Sequence, residues 1–359
     1  MIKSKGNIGN NCKRSNGYCH GGDIYKFKDK MLDFSANLNP LGMPEAAKDS
    51  IISSIDNFEA YPDHSCRKLR TALSKFYNYP AHKIVCGNGA ADLIFRICLR
   101  FKPQNALVVS PTFSEYEEAV KMSGGAVTYF PLLEDKNFSV GAEFVDSISE
   151  KIDMVFLCSP NNPTGLAVDL KIIEDTLEKM RKNNGLLVID HCFIHFMEDE
   201  NSFSAMRLLK KCKNLIIINA FTKIYSMAGL RVGYAFCGSE SMAASIQNTL
   251  QPWSVSSVAQ VAGERAIDVE FIKKTKIYIS ENRKYLTDEL EKIGIKVFPS
   301  QCNYLLFKCR HDLADLLEKE GIMIRRCGNF PGLSDSFFRI AVKSFEDNRR
   351  LVETIKKVI

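Results

Sequence analysis

Short apolar runs alternate with longer stretches of helical spacing through most of this chain. NALVVS (105–110), DMVFLCS (153–159), GLLVID (185–190) and NLIIINA (214–220) are too short for helices and apolar on both faces of an extended chain. Strands covered on both sides read this way. AVTYFP (126–131) adds a further strand. Between these runs, SCRKLRTALSKFYN (65–78) is spaced as an amphipathic helix, GAADLIFRICLRF (89–101) as a helix opened by glycine, and TFSEYEEAVKMSGG (112–125) as a helix closed by glycine. The alternation predicts an α/β fold with a mostly parallel sheet flanked by helices.

The pattern changes after LRVGYAFCG (230–238). From about residue 255 to 292 the chain reads as a long helical stretch. KVFPS, NYLLFKC, a helix at DLADLLEKEG, a strand at IMIRRC, FFRIAVK and a last helix follow, which suggests a smaller α+β unit. The expected division is an N-terminal arm (1–44) that is loop-rich and contributes to the substrate site, a large unit (45–250) and a small C-terminal unit (251–359).

Composition narrows the function classes. The net charge of +6 comes from basic residues scattered along the chain, which gives a nucleic-acid partner no support. No apolar run has the length of a membrane span, and the polar start lacks the apolar core of a signal peptide. Twelve cysteines without a repeated framework, several inside apolar runs, are expected to be free thiols in a reducing cytoplasm. Cys12, Cys19 and His20 lie close together, but no second cysteine pair completes a zinc spacing, so no metal is expected.

Ligands of open parallel sheets bind beyond the carboxyl ends of the strands. Three polar residues stand at such ends here. Asn162 follows DMVFLCSP, Asp190 closes GLLVID, and Lys223 follows NLIIINA. Singly, each has a bland reading: a turn at SPNNPTG, a helix cap, a solvated lysine. Together they offer an amide, a carboxylate and an amine to one edge, the set that pyridoxal 5′-phosphate needs. The amine forms an imine with the cofactor's aldehyde, the carboxylate keeps the pyridine nitrogen protonated, and the amide holds the phenolate oxygen. The glycine-rich CGNGAADLI opens a helix whose N–H groups suit a phosphate, and Thr222 and Arg231 flank Lys223.

SPNNPTG, VID and FTKIYSMAGLRVGY closely resemble the fold-type I aminotransferase superfamily, in particular its histidinol-phosphate aminotransferase branch. CHGGDIY, LDFSANLNPLGMP, YPDHSCRKLR, QPWSV, IRRCGNFPGL and FFRIAVKS are similar to the threonine-phosphate decarboxylases of that branch, which serve cobalamin biosynthesis. The resemblance implies a pyridoxal-phosphate enzyme with Lys223 as its covalent lysine. It implies that Asp190 and Asn162 hold the ring, that Phe113 stacks on it, and that Gly89, Ala90, Ala91, Thr222 and Arg231 hold its phosphate. Tyr61 is expected to reach the cofactor of a second subunit, which makes the protein a homodimer. Arg339 is expected to clamp the substrate carboxylate, with His20, Gly21, Asn37, Asn162 and Arg325 around a phosphorylated amino acid.

Three features depart from that pattern. His191-Cys192-Phe193 stands where the decarboxylases have Glu-Ala-Phe, although Phe193 itself follows them and not the aminotransferases, which carry tyrosine there. Lys343 replaces an arginine common among these relatives, and the cysteine-containing N-terminal extension has no counterpart. The expected reaction is decarboxylation of L-threonine O-3-phosphate, with L-serine O-phosphate as a close variant. A histidinol-phosphate aminotransferase is the alternative.

Overall fold

The structure, a computed structural model, describes residues 20–27 and 31–359. β1 (Leu32–Asp33) precedes a seven-stranded sheet built from β2 (Ile84–Gly87), β3 (Asn105–Ser110), β4 (Ala126–Pro131), β5 (Met154–Cys158), β6 (Leu186–Asp190), β7 (Leu215–Ala220) and β8 (Gly233–Cys237). The C-terminal strands are β9 (Lys296–Val297), β10 (Tyr304–Lys308), β11 (Ile322–Met323), β12 (Arg325–Arg326) and β13 (Phe337–Ala341).

The large sheet runs in the order β2-β8-β7-β6-β5-β3-β4. Strands β3 to β7 are mutually parallel, and β8 is antiparallel to both β7 and β2. The continuous apolar runs follow from two-sided burial. Leu107, Val109, Val155, Leu157, Leu187, Ile189 and Ile217 pack into one core, while their alternating neighbours Val108, Phe156, Val188, Ile216 and Ile218 pack into a second on the opposite face. Each such aliphatic side chain taken out of water contributes about 1.5–3 kcal/mol. Register sets the three key strand ends side by side, with Cys158 opposite Asp190 and Asp190 opposite Ile218.

A four-stranded antiparallel sheet, β12-β13-β10-β9, forms the smaller C-terminal unit, with the helix Val269–Lys292 packed against β9 and β10. Two local expectations need correction. The helical stretch after residue 255 is two helices, Ser257–Ala266 and Val269–Lys292, because Ile267 is extended and the Asp268 carboxylate accepts the Glu270 N–H and starts a new helix. IMIRRC is likewise two strands. Its first half pairs with β1 in parallel and its second half with β13, so one apolar run serves two sheets. The chain before residue 45 is thereby tied to the C-terminal unit: Phe34 N–H donates to Met323 O, and Ala341 N–H donates to Phe34 O.

Candidate active site

Every expected site residue except Gly89 and Tyr61 lines a single cleft of about 390 Å³ at the carboxyl ends of the parallel strands. Asp190 ends β6 and is buried. Its Oδ2 accepts from the Tyr116 hydroxyl at 2.8 Å, and its Oδ1 accepts from the Cys192 N–H at 2.9 Å. Lys223 lies in the helical turn Phe221–Ile224 that leaves β7. Burial lowers its amine to about 8, and the positive charges of Arg339 and Arg231 push in the same direction. At pH 7 roughly a tenth of such an amine is unprotonated and nucleophilic, against well under a thousandth for an ordinary lysine.

The two asparagines of SPNNPTG divide their work. Asn161 ties its loop to the segment after β3: its amide nitrogen donates to Pro111 O and Thr164 Oγ1, and its Oδ1 accepts from the Thr112 hydroxyl. The Tyr304 hydroxyl donates to its carbonyl at 2.7 Å. Asn162 instead lines the cleft, where its Oδ1 accepts from Arg339 Nη1. Arg339, on β13, is buried, and its Nη2 donates to Ser35 O at 2.7 Å. Its Nε has no partner among the described residues, and burial lowers the guanidinium to about 10. Asn37 is buried in the same cleft with an unpartnered Oδ1. An unsatisfied buried donor and acceptor are costly unless a ligand completes them.

Behind Lys223, the helix Gly89–Phe101 begins with its free N–H groups beside Arg231. Gly89 has φ +89°, and a Cβ there would lie 2.5 Å from Arg231 Nη2. A Cβ on Gly233 would lie 2.6 Å from Ala90 N. Missing side chains thus let cation and helix start converge, which suits a phosphate. Phe113 stands on the cleft wall, edge-on to Tyr116 at 5.7 Å between centroids.

The chain belongs to the aminotransferase class I and II family. The model of that family, "Aminotransferase class I and II", matches residues 29–355. The chain is 33% identical to the threonine-phosphate decarboxylase of Salmonella typhimurium over 95% of its own length and 96% of that protein. It is 30% identical to a histidinol-phosphate aminotransferase of Methanococcus aeolicus, covering 92% of this chain and 91% of that one. Among solved structures, the histidinol-phosphate aminotransferase from Clostridium acetobutylicum superposes with a TM-score of 0.85 at 33% identity, covering 91% of this chain and 99% of that one.

Enzymes of this family use pyridoxal 5′-phosphate, the cofactor of this chain. The residues present fit it. The Gly89 cradle suits its phosphate, Asp190 its ring nitrogen, and the lowered Lys223 amine its aldehyde. Tyr61 does not line this chain's own cleft; it is 78% exposed and stacks on Trp253 at 4.4 Å between centroids.

Sequence reasoning missed Tyr116, Glu115 and Ser35. Tyr116 lies three residues beyond Phe113, yet its partner Asp190 is 74 residues away, a pairing no local pattern carries. His191, the unusual residue after Asp190, sits in a second layer. Its Nδ1 is 2.6 Å from Ser159 O, and Ala205 N–H donates to its Nε2. Burial lowers it to about 4, so the ring is neutral and braces the SPNNPTG loop. Phe193 packs edge-on to Tyr304. Cys12 and Cys19 lie outside the described residues, and among those described no group of three or more potential ligands could hold a metal.

Proposed function

We propose that this enzyme decarboxylates L-threonine O-3-phosphate to (R)-1-amino-2-propanol O-phosphate in cobalamin biosynthesis, with L-serine O-phosphate, smaller by one methyl, as a second substrate. One observation carries the reading. A buried arginine whose Nε has no partner among the described residues, bonded to Asn162, lines the same cleft as Lys223, and His20 and Arg325 line that cleft too. The near full-length identity to a threonine-phosphate decarboxylase supports it.

When bound, the cofactor accepts the electron pair of the bond that breaks. The residues decide which bond that is. Arg339 and Asn162 fix the substrate carboxylate, and His20, Gly21, Asn37 and Arg325 fix its phosphate. Holding both ends would set the torsion about the α-carbon and so select the carboxylate bond for cleavage. The distal phosphate supplies binding energy far from the reacting carbon. Asp190, steadied by Tyr116, keeps the ring nitrogen protonated, and Phe113 holds the ring face. Gly89, Ala90, Ala91, Thr222 and Arg231 anchor the cofactor phosphate. Carbon dioxide leaves, and Lys223 Nζ returns one proton to the α-carbon.

Tyr61 of each protomer completes the partner's phosphate site, so the working form is a homodimer. Ten free cysteines among the described residues suit the reducing cytoplasm, and no described helix is long and apolar enough to cross a membrane.

The test is a parallel assay of the loaded enzyme with phosphothreonine, phosphoserine and histidinol phosphate. Carbon dioxide release from phosphothreonine without a 2-oxo acid is expected. Glutamate-dependent turnover of imidazole-acetol phosphate without that release would favour the aminotransferase instead, a reading that the Methanococcus and Clostridium relatives support.

A further inference from the structure

We infer that Glu115 is a positioning residue for the phosphate end of the substrate, acting through His20. The inference rests on the cleft being a site for a phosphorylated amino compound. Glu115 opens the helix Glu115–Met122 and lines the cleft, although the cofactor and the substrate carboxylate leave a second acid there without a task. Its Oε1 lies 2.9 Å from His20 Nε2, and its side chain is only 17% exposed. The His20 ring in turn rests against Phe113, at 5.9 Å between centroids.

The segment after His20 is seated from the other side. Gly22 N–H donates to Ser35 Oγ at 2.7 Å. A Cβ on Gly21 would lie 2.2 Å from Ser35 O, so only glycine allows this approach. The same Ser35 carbonyl accepts from Arg339 Nη2. Residues 20–22 therefore form a strap pinned to the large-sheet side by Glu115 and to the C-terminal side by Ser35. A bare carboxylate would repel a phosphate dianion. Here the imidazole stands against that carboxylate, and the Nε2–Glu115 contact fixes the ring's orientation. An arginine at the same helix start would bind phosphate directly, whereas Glu115 acts only while His20 is in place.

This dependence gives a test that separates positioning from general structure. Dissociation constants for phosphothreonine, histidinol phosphate and unphosphorylated L-threonine are measured calorimetrically on cofactor-loaded Glu115→Gln, His20→Gln and the double variant. Each single change is expected to weaken the phosphorylated ligand about tenfold, the double change no more than either alone, and L-threonine binding is expected to hold. Hydrogen exchange of the cofactor-free protein is expected to rise at the Gly22 amide in Glu115→Gln, with the parallel strands unchanged. Losses that multiply to about a hundredfold in the double variant would overturn the inference. So would an equal loss for L-threonine, or a general loss of protection in the sheet without a selective change at Gly22. If the unaltered protein releases no carbon dioxide from phosphothreonine but histidinol phosphate shows the coupling, the decarboxylase reading falls and the role of Glu115 stands.

Discussion

The two ends of the cleft are built differently. The cofactor end sits on the ends of β5, β6 and β7, adjacent strands whose side chains are packed on both faces. The substrate end is assembled from the strap at His20, the turn at Ser35–Asn37, and residues of β12 and β13 that lie some 300 positions away in the chain. A close-packed sheet fixes donors to within fractions of an ångström, which the chemistry requires. Segments joined by a few hydrogen bonds adapt more readily and suit the selection of one phosphorylated substrate among several. Relatives with different activities can therefore share one cofactor end.

The contrast can be broken most severely at Lys223. Lys223→Ala is expected to abolish the covalent cofactor absorbance and lower turnover by on the order of 10⁴-fold or more, because no other group replaces its amine. Full turnover with that band intact would refute the site. At the substrate end, Arg339→Lys keeps the charge but loses the planar fork, and kcat/KM is expected to fall about 10²-fold while cofactor affinity changes little. Equal losses in both would mean that the two ends are not separable. Tyr116→Phe removes a single donor to Asp190 and is expected to weaken cofactor binding about tenfold, read by equilibrium titration.

A pH measurement refines the same contrast. Because burial and two neighbouring cations hold the Lys223 amine near 8, covalent cofactor uptake by the cofactor-free protein should accelerate as pH rises through about 8 and then level off. Removing a cation raises an amine's pKa, so Arg339→Gln should move that midpoint upward. A midpoint that stays put would mean that the electrostatic reach of Arg339 ends at the substrate.

The two ends also differed in how much the sequence disclosed. Asp190 closes one contiguous apolar run and Lys223 stands three residues beyond another, and the phosphate cradle is written as Gly87 and Gly89 at a helix start, so local pattern and strand-end geometry reach them. His20, Asn37, Arg325 and Arg339 have no such signal and were reached only through family resemblance. The partners were not legible at all. Tyr116 with Asp190, Glu115 with His20 and Ser35 with Arg339 are contacts between distant segments, created by tertiary packing. Which of the paired asparagines faces the cleft depends on Thr112, Pro111 and Tyr304 occupying the other. The split of IMIRRC between two sheets is similarly set by β1, whose pairing spans most of the chain.

This cleft is expected to break the bond to the carboxylate and to spare the bond to the α-hydrogen. Turnover of phosphothreonine in deuterium oxide tests it directly, with the product amine examined by NMR. The predicted product keeps its original α-hydrogen and gains one deuterium on the same carbon. Loss of that hydrogen, with a ketone in place of the amine, would contradict the account.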